Sequence, residues 1–95
     1  MYKILPAQRK KAKKLGVTIK SSTVKGKKID IFQDGKKVSS IGAKGYGDFE
    51  YFKKEKGETF ANSRRKAYNS RHAKDPKYNS KGQLSAGYYA KAILW

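Results

Sequence analysis

The chain has 95 residues, with 24 Lys and Arg against seven Asp and Glu, one His and no Cys. That length makes one domain with a basic tail. The missing Cys excludes disulfides and thiolate metal sites, and a single His without clustered carboxylates leaves no zinc set. A formal charge of +17 departs from the mixed, near-neutral surface of ordinary soluble domains.

Residues 1 to 29 hold ten of the basic side chains and no acid. Self-repulsion at this density opposes a compact chain, so a polyanion that neutralises it is the expected partner, with nucleic acid first among the candidates. The apolar content of 37% is low, and 13% of the chain is aromatic, so any core is small and Tyr-rich. No apolar run reaches membrane-spanning length, and Met1 to Leu15 lacks the apolar segment of a secretory signal.

In chain order, Tyr2, Ile4 and Leu5 form a short apolar anchor. Pro6 suits the first turn of a helix over Ala7 to Leu15, stopped by Gly16. This segment has no wide core-facing stripe and is expected to be a basic tail over 1–16, helical or disordered until it meets its partner. Its run Arg9-Lys10-Lys11-Ala12-Lys13-Lys14 also fits a nuclear-localisation patch. The remaining residues, 17–95, are expected to form one α+β domain: a hairpin or three-stranded antiparallel sheet packed by short helices.

Asp34-Gly35 lies between the alternating runs Lys28 to Gln33 and Lys36 to Ile41, the signature of a type I′ hairpin. Strict pairing through that turn sets Ile31 opposite Val38 and Ile29 opposite Ser40. It puts Ile29, Ile31 and Val38 on one face, with Asp30, Phe32, Lys37 and Ile41 on the other. Val17 to Ile19 reads as a third strand. Gly42 to Gly47 is a loop, Asp48 an N-cap, and Gly57 the end of a short helix carrying Phe49, Tyr51 and Phe52. A further helix is expected from Glu58 to Lys74, broken at Asp75-Pro76. Ala86, Tyr89, Ala90, Ile93 and Leu94 form a helical stripe, with a strand as the alternative for this segment. This closing segment is the natural cover for the sheet.

Nucleic-acid contacts are expected from Arg9, Lys10, Lys11, Lys13 and Lys14 in the tail. Lys27, Lys28 and Lys44 flank glycine-bearing turns and add contacts to phosphate, although neither turn has the spacing of a P-loop. On a helix, Arg64, Tyr68 and Arg71 share one side, and Arg65, Tyr68 and His72 the adjacent one. Arg grips phosphate bidentately and Tyr packs on sugar or base. A solvated basic face with Tyr68 in the core is the plainer alternative. Tyr89, Ile93, Leu94 and Trp95 are expected either to cover the sheet or to enter a partner subunit. No cofactor and no metal are expected. Glu50, Glu55 and Glu58 stand beside lysines, and no helical spacing brings two of them to His72, so the chain reads as non-enzymatic.

The hairpin Ile29 to Lys37, the basic segment Arg64 to His72 and the aromatic end Gly87-Tyr88-Tyr89 to Leu94-Trp95 resemble small basic proteins encoded by DNA viruses, notably large viruses of algae. The resemblance spans Lys27 to Trp95 and assigns no functional residue. It implies a virion setting in the capsid interior, with the host nucleus or cytoplasm during assembly. The expected role is then a basic structural protein that neutralises or condenses viral DNA without reading its sequence. The alternatives are a minor capsid or cement protein contacting the major capsid protein, and a ribosomal-protein-like RNA binder.

Overall fold

The computed structural model describes residues 2–95. It is an α+β chain of seven elements: α1 (Pro6–Lys14), β1 (Thr18–Ser21), β2 (Lys27–Gln33), β3 (Lys36–Ala43), α2 (Phe49–Lys56), α3 (Glu58–Arg71) and α4 (Ala86–Ile93). The strands form one antiparallel sheet in the order β1-β2-β3. The chain divides into two compact units, Met1–Tyr46 and Gly47–Trp95.

The first unit joins α1 to the sheet. Leu5 caps the helix and Pro6 occupies its first turn, where a missing N–H costs nothing. The Gln8 side-chain oxygen accepts the Leu5 N–H at 2.9 Å, and its amide donates to the Tyr2 hydroxyl at 2.6 Å. Gln8 is fully buried, and Ile4 and Ala12 are buried beside it. The expected tail is therefore a folded part of the unit, and it contributes core as well as charge. The Val17 N–H donates to the Ala12 carbonyl at 3.2 Å, which ties the helix end to the start of β1.

The Asp34-Gly35 turn forms as expected, with φ of 52° and 79°, the paired positive values of a type I′ turn. Gln33 faces Lys36 and Phe32 faces Lys37, but a bulge follows and Ile31 then faces Ser39, Asp30 faces Ser40 and Ile29 faces Ile41. Val38 is the extra residue. The expected face of Ile29, Ile31 and Val38 is thus corrected: Val38 is 38% exposed, while Ile41 is 1% exposed and joins Ile29 and Ile31. Ile19, opposite Ile31, completes this aliphatic face. Burying an Ile contributes roughly 1.5–3 kcal/mol, so the shift exchanges a peripheral Val for a full core residue.

Asp30 lies on the opposite side, 3% exposed. Its Oδ1 accepts from the hydroxyls of Ser22 and Ser40, both at 2.6 Å, and Lys37 Nζ stands 3.7 Å from Oδ2. Burial pushes the Asp30 carboxyl up, but the two serines, the Thr23 N–H and Lys37 together hold it below the ordinary carboxylate range.

The second unit is helical. Asp48 caps α2 by accepting the Tyr51 N–H at 3.3 Å. Any side chain at Gly47 would run into the Phe52 ring. Helix α3 stops at Arg71, one turn short of the expected Lys74. Ser85 caps α4 through the Tyr88 N–H, and the Phe49 N–H donates to the Leu94 carbonyl at 2.9 Å, joining the two ends of the unit. Its core is Phe49, Ala61, Tyr89, Ile93 and Leu94, all buried.

Candidate nucleic-acid interface

The acids explain how so much positive charge remains at the surface. Asp30 is buried in its hydroxyl network, and Asp48 is 1% exposed at a helix cap. Asp34 makes the hairpin turn, and Glu50 and Glu58 lie in the first turns of α2 and α3, where the helix dipole favours them. Asp75 Oδ2 lies 2.6 Å from His72 Nδ1. Six of the seven acids thus have a local structural task and two are buried, while Asp34, Glu55, Glu58 and Asp75 are exposed and offset only a small part of the cations.

The first unit carries thirteen basic and two acidic side chains. Lys10, Lys13 and Lys14 are exposed on α1, and Lys27 and Lys44 are exposed at the end of the sheet. Arg9 is exposed too, with one guanidinium nitrogen donating to the Ile19 carbonyl at 3.3 Å. That bond covers part of the β1 edge, and a shallow groove of about 330 Å³ runs beside it past Lys13 and Thr18. Lys11 is half-buried. Lys28 departs from expectation. It is 4% exposed, its Nζ donates to the Tyr46 carbonyl, and it lies 5.5 Å from the Tyr2 ring centre. Lys28 is a structural lysine.

In the second unit the basic segment of α3 divides. Arg64 and Arg71 are exposed. Arg65 is half-buried with its guanidinium 3.5 Å from the centre of the Phe49 ring. Tyr68 has both ring faces occupied: Trp95 stacks at 4.7 Å and 12°, and His72 at 4.3 Å and 29°. Burial above all, with Asp75 adding to it against Arg71, pushes the Tyr68 hydroxyl up. Tyr68 is half-buried in this stack rather than part of the core, and His72 lies against Tyr68 and Asp75. Tyr89, Ile93 and Leu94 are 3%, 0% and 2% exposed, so they belong to the core of the chain, and only Trp95 of that group keeps partial exposure.

Sequence reasoning passed over Tyr46. It is 76% exposed, the most exposed large apolar or aromatic residue described, and its ring makes no ring or cation contact among the described residues. The Lys44 N–H donates to the Gly26 carbonyl at 3.0 Å, and Lys27 pairs with Ala43. The Val24–Lys27 turn and the Lys44–Tyr46 loop therefore meet at one end of the sheet, bringing Lys25, Lys27, Lys44 and Tyr46 to one locality. The signal was present: an aromatic between two glycines in a Gly-rich loop belongs to no strand or helix that could carry it into a core.

Among the described residues, no group of three or more His, Asp or Glu is placed to hold a metal, and no helix is long and apolar enough to cross a membrane. Comparison with protein-family models, with curated proteins and with solved structures found no match to this chain.

Proposed function

We propose that this chain is a non-enzymatic basic structural protein of a DNA virus, binding the genome electrostatically in the capsid interior after assembly in the host nucleus or cytoplasm. The observation that carries the reading is the excess of exposed cations: Lys10, Lys13, Lys14, Lys27, Lys44, Arg64 and Arg71 stay in solvent, where Asp34, Glu55, Glu58 and Asp75 are the exposed acids and Asp30 and Asp48 are buried. Such a surface neutralises phosphates in any sequence and releases their counterions. The viral setting rests on the resemblance of the hairpin, the α3 segment and the aromatic end. The capsid-cement reading asks the aromatic end to insert into a neighbour, and the burial of Tyr89, Ile93 and Leu94 weighs against it.

Titration against random duplex DNA tests the charge reading. With about six to ten phosphates contacted, affinity falls by about three to five orders of magnitude between roughly 50 and 200 mM salt. A salt-insensitive affinity removes the reading. Recovery of the protein with filled particles and its loss from emptied ones supports genome binding over a cement role.

A further inference from the structure

We infer that the end of the sheet where Lys25, Lys27, Lys44 and Tyr46 meet binds an unpaired nucleic-acid strand, Tyr46 stacking on a base while the lysines hold the flanking phosphates. This rests on the polyanion reading above and adds to it the state of the strand. A ring of this size left 76% exposed is unusual in a chain with so little apolar surface. Its backbone is pinned from both sides. The Tyr46 N–H donates to the Ala43 carbonyl at 3.4 Å, and the Tyr46 carbonyl accepts from Lys28 Nζ. Burying Lys28 withdraws one cation from the phosphate-binding pool and uses it to hold this loop. The ring is thus presented by a fixed backbone, which lowers the ordering cost of binding.

Charge alone does not distinguish duplex from single strand, but an aromatic face does. Bases in a duplex are stacked on one another and offer a side chain only their edges. Unpaired bases offer their faces, and stacking on an aromatic side chain is tolerant of sequence. Lys25 and Lys27 on the adjoining turn and Lys44 on the loop of Tyr46 itself are exposed at the same end of the sheet, so phosphates next to a stacked base find cations in the same locality.

The test is fluorescence anisotropy with the full chain, a labelled oligothymidylate of about 20 nucleotides, the matching oligouridylate, and a random duplex of equal length. Tyr46→Ala should lower affinity for both single strands by about tenfold, and for the duplex by less than about twofold. Tyr46→Phe should bind as the parent does, and Tyr46→Leu, which keeps bulk without the ring face, should behave as Tyr46→Ala. Lys44→Gln should reduce the single-strand salt slope by about 0.7, which Tyr46→Ala leaves unchanged. An equal loss on duplex and single strand, or no loss on either, overturns the inference while leaving duplex binding intact as the broader reading. An equal loss on poly-glutamate reassigns the patch to acidic peptide and overturns it too. A parent chain that binds none of the nucleic acids removes both readings together.

Discussion

The two units answer the same problem, holding a fold together under heavy like charge, in different ways. The sheet unit relies on aliphatic burial and on one carboxylate shared among hydroxyls, and it leaves most of its cations in water. The helical unit, with eleven basic and five acidic side chains, sets cations over more of its rings than the sheet unit, where Lys20 stands 5.3 Å from the Phe32 ring centre and Lys28 5.5 Å from that of Tyr2. Arg65 lies over Phe49, Arg64 stands 5.9 Å from the Phe52 ring centre, and Lys56 stands 5.5 Å from that of Phe60. A cation on an aromatic face gains from the ring quadrupole and covers apolar surface with its stem. The lesson is that basic residues of similar appearance in sequence divide, in both units, into exposed charge such as Lys14 and Arg71 and charge held against rings and carbonyls such as Lys28 and Arg65.

The largest effect should come from the aliphatic face of the sheet. Ile31 is fully buried opposite Ile19, and Ile31→Ala should cost about 3 kcal/mol of stability, read by denaturant titration. A loss below about 1 kcal/mol would mean that the sheet unit does not depend on this packing, and the contrast between the units would fail.

Asp30 comes next. Asp30→Ala strands two serine hydroxyls and the Thr23 N–H, and should cost about 2 kcal/mol. The sign of its pH dependence follows from a folded pKa held below the unfolded value of about 3.9. Its contribution is complete above the unfolded value, and it is lost as the pH falls through the lower folded one. The parent should therefore lose stability in acid below about pH 4, and Asp30→Asn should flatten that loss. An unchanged acid limb in Asp30→Asn would assign the acid sensitivity to the other carboxylates.

The sequence announced the elements better than their register. Asp34-Gly35, the Asp48 cap and the stripe from Ala86 to Leu94 are local signals, and local signals placed the hairpin, α2 and α4. The bulge was hidden because a two-residue turn sets pairing only as far as the first irregularity. Yet Val38 and Ile41 are three apart, so strict alternation cannot bury both against Ile29 and Ile31. One had to be expelled, and the larger side chain stayed. Helix α1 was underrated for another reason. Its two buried positions, Gln8 and Ala12, continue a four-residue spacing from Ile4 ahead of it, but one is polar and the other small, and an apolar count passes over both. At the candidate interface the lysines were legible from charge alone. The withdrawal of Lys28 and Arg65 was not, because it depends on which rings and carbonyls the fold brings to them.

The smallest effects separate the two kinds of cation most sharply. Arg65 and Lys14 carry the same formal charge, one half-buried over Phe49 and the other exposed at the end of α1. Arg65→Met keeps the apolar stem and removes the guanidinium. Its stability cost should be about 1 kcal/mol from the lost ring contact. It is held to that size because Arg65 Nε is buried without a hydrogen-bond partner among the described residues, so part of its desolvation is recovered on removal. The salt slope for duplex DNA should not move. Lys14→Gln should do the reverse, leaving stability within about 0.5 kcal/mol and lowering the slope by about 0.9, the share of a single phosphate contact. Thermal unfolding and salt titration on both variants read the four quantities. If Arg65→Met lowers the slope as Lys14→Gln does, its guanidinium reaches phosphate from above the ring, and the helical unit is as much a part of the nucleic-acid surface as the sheet unit.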